Sequence, residues 1–69
     1  MTKTLHVPNI SCNHCCMTIK RELGALSGVT SVECDPQRKE ATIGFKTEAD
    51  LAKIKDTLAE IGYPADREV

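Results

Sequence analysis

Thr4-Leu5-His6-Val7 runs into Pro8-Asn9-Ile10-Ser11-Cys12-Asn13, and then Cys15, Ile19, Leu23 and Leu26 recur at spacings of four, four and three. The first four residues alternate polar and apolar, the period of a strand with one buried face. Pro8-Asn9 ends that strand, and residues 9–13 form a loop. The recurrence from Cys15 onward is the apolar stripe of a helix, with Lys20 and Arg21 on its outer side. Ser27-Gly28 is the expected stop of that helix. A strand, a loop carrying two cysteines and a helix therefore open the chain.

The pattern repeats further on. Val29 to Asp35 reads as a second strand, with Val32 and Cys34 in one phase, and Asp35-Pro36-Gln37-Arg38 is turn chemistry. Ala41, Ile43 and Phe45 alternate in a third strand, antiparallel to the second. Thr47-Glu48-Ala49-Asp50 has the form of a capping box with Asp in the place of Glu. Leu51, Ile54, Leu58 and Ile61 then mark a second helix, ended by Gly62, and Pro64 to Val69 leaves room for a short last strand. The order β-α-β-β-α-β predicts an α+β, ferredoxin-like sandwich: a four-stranded antiparallel sheet with both helices on one face. The expectation is one domain over residues 1–69.

Composition narrows the function. A chain of 69 residues buries only roughly 60% of the surface its unfolded form exposes, too thin a core for a large enzyme with a deep cleft. Apolar residues at 41% and charged residues at 28% fit a globular domain and exclude a disordered one. A net charge of −1, with Phe45 and Tyr63 the only aromatics, argues against nucleic acid as a partner. No apolar run is long enough to enter a membrane. The first residues lack the apolar stretch of a secretory signal, so the expected compartment is the cytoplasm, where four cysteines are thiols by default. Residues 1–28 carry three basic side chains against Glu22 alone, whereas residues 29–69 carry six against nine acids. Lys20 and Arg21 are thus either solvated charges or a docking patch for an acidic partner.

The chemistry concentrates in Ser11-Cys12-Asn13-His14-Cys15-Cys16. Cys12 and Cys15 are separated by two residues where the loop enters the first helix. A helix N-terminus offers free N–H groups and partial positive charge, which favour a thiolate. A structural zinc site asks for four ligands. One pair of thiolates suits a soft monovalent ion such as Cu(I), which accepts low coordination numbers. The alternatives are thiol–disulfide chemistry, for which the chain is short, and an inert thiol pair.

At these residues the chain resembles the heavy-metal-associated domain family, which includes bacterial cytosolic copper chaperones and the metal-binding domains of copper-exporting ATPases. The resemblance runs through Ile10-Ser11-Cys12-Asn13-His14-Cys15, Gly28-Val29, Ala41-Thr42-Ile43 and Ile61-Gly62-Tyr63. The usual family motif, Gly-Met-Thr-Cys-x-x-Cys, is altered here to Asn9 and Ile10 at its first two positions, and Ile10 should serve as the packing residue beneath the loop. His14 just before the second cysteine looks like the bacterial chaperones. No acidic residue precedes Cys12, which weakens a Zn(II) or Cd(II) reading.

The resemblance implies a non-enzymatic carrier that binds Cu(I) through Cys12 and Cys15 and hands it to a copper-transporting P-type ATPase by ligand exchange, with a metal-bridged homodimer as a loaded form. A domain of a larger transporter and an Hg(II) scavenger are the alternatives. It also implies that Tyr63 approaches the metal thiolates. Cys16, about 100° around the helix from Cys15, reads either as a half-buried apolar residue or as a third thiolate. His14 reads as an exposed side chain, an added ligand in a dimer or a group tuning the thiolates. Cys34 reads as core filling, and His6 and Met17 as surface.

Overall fold

Leu5, Ala41, Ile43 and Phe45 are all but absent from the surface, and they face Ile19 and Leu23 of the first helix and Ile54 and Leu58 of the second. This is the core that the two periodicities required. In the computed structural model, which describes all 69 residues, the order is β1 (Thr2–His6), α1 (Asn13–Gly24), β2 (Val29–Asp35), β3 (Glu40–Phe45), α2 (Glu48–Glu60) and β4 (Arg67–Glu68). The strands form one antiparallel sheet in the order β2-β3-β1-β4, and both helices cover the same face. Register follows the pleat: Leu5 lies opposite Ala41 and Thr4 opposite Thr42. The two threonine hydroxyls meet at 2.9 Å on the uncovered face.

The caps explain where the elements stop. Asp50 Oδ2 accepts from the Thr47 N–H at 3.1 Å, so aspartate does close the capping box of α2. Gly28 precedes β2 at φ +95°, and a Cβ there would lie 2.5 Å from Asp50 Oδ2, so only glycine fits between the two elements. At the far end of α2, Gly62 sits at φ +90° and donates to the Ala59 carbonyl, while Tyr63 donates to Leu58. These two bonds make a Schellman motif, and they fix the position of Tyr63.

Some boundaries differ from the sequence reading. Helix α1 ends at Gly24, not at Ser27-Gly28. The glycine weakens the last turn, and the chain continues through single turns closed by Leu26 N–H to Leu23 and Val29 N–H to Leu26. Leu26 still packs on the core, from a loop. Val7 lies just past β1 and is fully buried, its N–H donating to the Lys39 carbonyl at 2.7 Å. His6 is not plain surface: its Nδ1 lies 2.7 Å from Asp66 Oδ1, and it pairs with Arg67 across the short edge strand β4. Glu68 is held by Lys55 at 3.0 Å and by Lys3 at 3.3 Å, which lowers its pKa.

The larger correction concerns sulfur. Cys16 and Cys34 are joined by a disulfide that ties α1 to β2, with Cα atoms 5.5 Å apart. Neither is a free thiol, neither is simple core filling, and Cys16 is not available as a third thiolate. The reason is geometric. The flank of the α1 stripe and the inward phase of β2 meet face to face, which brings two residues 18 apart in the chain within bonding range.

Candidate metal centre

The loop between β1 and α1 is fastened at three points. Ile10 is fully buried and anchors it to the core. Lys39 Nζ, from the β2–β3 turn, donates to the Ile10 carbonyl at 2.9 Å. Asn9 Nδ2 donates to the Gly62 carbonyl at 3.0 Å, binding the loop to the end of α2. The departures from the usual motif at positions 9 and 10 thus both serve to hold the loop in place.

Cys12 and Cys15 are the two free cysteines. Cys12 is the N-cap of α1, exposed and extended at φ −161°, and its carbonyl accepts the Cys15 N–H at 3.2 Å. Cys15 lies in the first turn and is nearly covered. Their sulfurs are 4.0 Å apart, and Ser11 Oγ is 3.7 Å from the Cys15 sulfur. The first turn of α1 holds no acidic residue, so nothing offsets its positive end.

The Cys15 thiol is lowered from 9.0 to about 6. The Tyr63 hydroxyl is the first cause, donating to the thiolate, followed by the backbone and hydroxyl of Ser11; burial works in the opposite direction. The same contact raises the pKa of Tyr63, because ionisation would forfeit the hydrogen bond it donates to Cys15, with burial and the nearby thiolate acting in the same direction. At neutral pH Cys15 is therefore a thiolate beside a neutral tyrosine.

The structure brings together Cys12, Cys15 and Tyr63. It leaves out His14, which is exposed on α1 and makes no hydrogen bond to either sulfur, and Met17, 65% exposed. No group of three or more His, Cys, Asp or Glu converges anywhere in the chain. Ser11, Asn9 and Lys39 are the contributors that sequence reasoning passed over. Ser11 precedes the first cysteine directly, and that adjacency is the only linear signal for it.

The heavy-metal-associated domain model matches residues 4–64, which include the loop, both thiols and Tyr63. The chain belongs to the heavy-metal-associated domain family. Domains of this family bind heavy metals. Among its relatives, the mercuric transport protein periplasmic component of Shigella flexneri is 35% identical over 65 residues, covering 93% of this chain and 71% of that protein. The copper chaperone CopZ of Enterococcus hirae is 30% identical over 67 residues, covering 96% and 97%. Oxidised MerP from Ralstonia metallidurans superposes with a TM-score of 0.85 at 29% identity, covering 96% of this chain and 93% of that one. The ferredoxin-like fold is shared with that structure. A copper chaperone and a mercuric transport protein stand side by side among the relatives, so membership of the family is compatible with either metal.

Proposed function

We propose that this protein is a Cu(I) carrier, with Cys12 and Cys15 as its ligands, that passes the ion to a P-type ATPase by thiolate exchange. The observation that carries this reading is the pair of free sulfurs 4.0 Å apart, one exposed and one held as a thiolate, with no third donor nearby. Two metal–sulfur bonds of about 2.3 Å span that gap without backbone movement. Zinc would be left short of its four ligands, whereas Cu(I) is satisfied by two.

The asymmetry of the pair supports transfer over storage. An incoming thiolate meets Cys12 first, because that sulfur is on the surface. A three-coordinate intermediate forms and Cys12 leaves; a second thiolate of the acceptor then binds and Cys15 leaves, so the ion keeps at least two sulfur bonds throughout. Ser11 and Tyr63 stabilise the Cys15 thiolate as it is released, so no proton is needed at that sulfur. A second copy of the chain can offer the same pair to the ion, which is how a metal-bridged dimer would arise. The role is transport of an ion, with no bond of a substrate made or broken. A cytoplasmic site of action goes with this reading.

Competition between the protein and a bathocuproine-type chelator under anaerobic conditions tests it. With the Cys16–Cys34 bond intact, Cys12→Ser and Cys15→Ser should each abolish tight Cu(I) binding and leave the fold intact. Undiminished binding in either variant overturns the assignment.

A second reading is favoured by one observation. The Cys16–Cys34 disulfide is at home in an oxidising compartment, and the mercuric relative is named as periplasmic. In that setting the ion is Hg(II), which also accepts two thiolates. Loading with both ions in competition, and fractionation of cells expressing the chain, separate the two readings.

A further inference from the structure

Cys16 and Cys34 have no part in the carrier chemistry proposed for Cys12 and Cys15, yet they form a second thiol pair in the same small chain. Cys16 is buried on α1 and follows Cys15 directly, while Cys34 is half-buried on β2, an edge strand. The pair is not sealed within the core. Cys34 faces α1 from the outermost strand of the sheet, so the bond lies at the margin of the helix-covered face.

We propose that reduction of the Cys16–Cys34 bond opens a second two-thiolate site for a soft metal ion, so that the oxidation state of this pair sets the capacity of the chain at one ion or two. The reductant is a dithiol. Its thiolate attacks Cys34, which belongs to the less buried of the two residues, breaking the Cys16–Cys34 bond and forming a mixed disulfide. The second thiol of the reductant resolves that bond and leaves as part of its own disulfide. Two electrons and two protons pass to the protein, which now holds two thiols. A Cu(I) ion then displaces both protons and forms two metal–sulfur bonds. With Cα atoms 5.5 Å apart on facing elements, side-chain rotation alone can part the sulfurs to the ~4.6 Å that two such bonds span at most. Cys16 does not join the Cys12–Cys15 site, because successive helical residues point about 100° apart and Cys16 is aimed at β2.

The test is the Cu(I)-to-protein ratio of three full-length proteins, reduced with a phosphine and desalted anaerobically. The phosphine takes its oxygen from water and leaves two thiols per bond broken. Reduced wild type should bind two ions, and Cys16→Ala/Cys34→Ala should bind one. Cys12→Ser/Cys15→Ser, which retains only the second pair, should bind one ion when reduced and none when oxidised. A ratio of one in reduced wild type, or of zero in the reduced Cys12→Ser/Cys15→Ser protein, overturns the proposal. So does uptake of the second ion only with loss of the native circular dichroism. The inference rests on the carrier reading only for the first ion, and the two fail separately: no binding by Cys16→Ala/Cys34→Ala refutes the carrier reading and leaves the second pair to be judged by Cys12→Ser/Cys15→Ser.

Discussion

Cys15 and Cys16 are neighbours in the chain and opposites in chemistry. Cys15 faces the loop, with Ser11 and Tyr63 beside it, and is held as a thiolate. Cys16 faces β2 and is consumed in a disulfide. A turn of about 100° along one helix separates a free thiolate from a sulfur held in a disulfide. The lesson is that a cysteine acquires its role from what its face of the helix meets. At the N-terminus of α1 that is polar groups and solvent on one side and a strand on the other.

The comparison breaks first at the loop. In the oxidised protein, with Cys16–Cys34 bonded, Cys15→Ser should abolish tight Cu(I) binding and leave the denaturant midpoint almost unchanged, as measured by chelator competition and urea unfolding. Cys34→Ala should do the reverse. Removing a cross-link over a loop of this length is expected to lower stability by about 3 kcal/mol, read as a lower urea midpoint, with one ion still bound at the Cys12–Cys15 pair. If Cys34→Ala lost the first ion as well, the two pairs would not be separate.

Smaller effects sharpen the picture at Cys15. Tyr63→Phe removes the leading cause of its low pKa. The pH midpoint for alkylation of Cys15 should rise from about 6, and Cu(I) affinity should fall by about 10-fold, the lower end for loss of a group that orients a ligand.

The same shift is linked to stability. The thiol titrates at about 6 in the folded chain and at 9.0 when unperturbed, so the folded state favours the thiolate. Its contribution is complete above pH 9, declines as pH falls, and is gone below pH 6. Metal-free, reduced Cys16→Ala/Cys34→Ala should therefore show a higher urea midpoint at pH 8 than at pH 5, with Cys15→Ser flattening that difference. Last and smallest, His14→Ala should leave Cu(I) affinity within about twofold, since the ring is exposed and touches neither sulfur.

Much of this was legible in the linear chain. The alternation in β3 and the stripe of α2 each define a buried face without reference to any other segment, and Thr47, Asp50, Gly28 and Gly62 mark ends by local backbone chemistry. The approach of Cys12 to Cys15 is also local, because three residues of a helix start span it. The end of α1 was misread, since Leu26 keeps the stripe's spacing while leaving the helix.

Sequence by itself determined the order of the elements, the apolar face of each and the place of the thiol pair at the mouth of a helix, because all of these depend on contacts within a few residues. Only the tertiary structure decided that Cys16 meets Cys34 across 18 residues, that Tyr63, expected near the thiols from the family resemblance, acts on Cys15 in particular, and that Lys39 and Asn9 clamp the backbone of the cysteine loop. Each of those contacts joins segments brought together by burial of the shared core. Burial has no direction along the chain, and spacing in the sequence therefore carries no mark of which partners it will select.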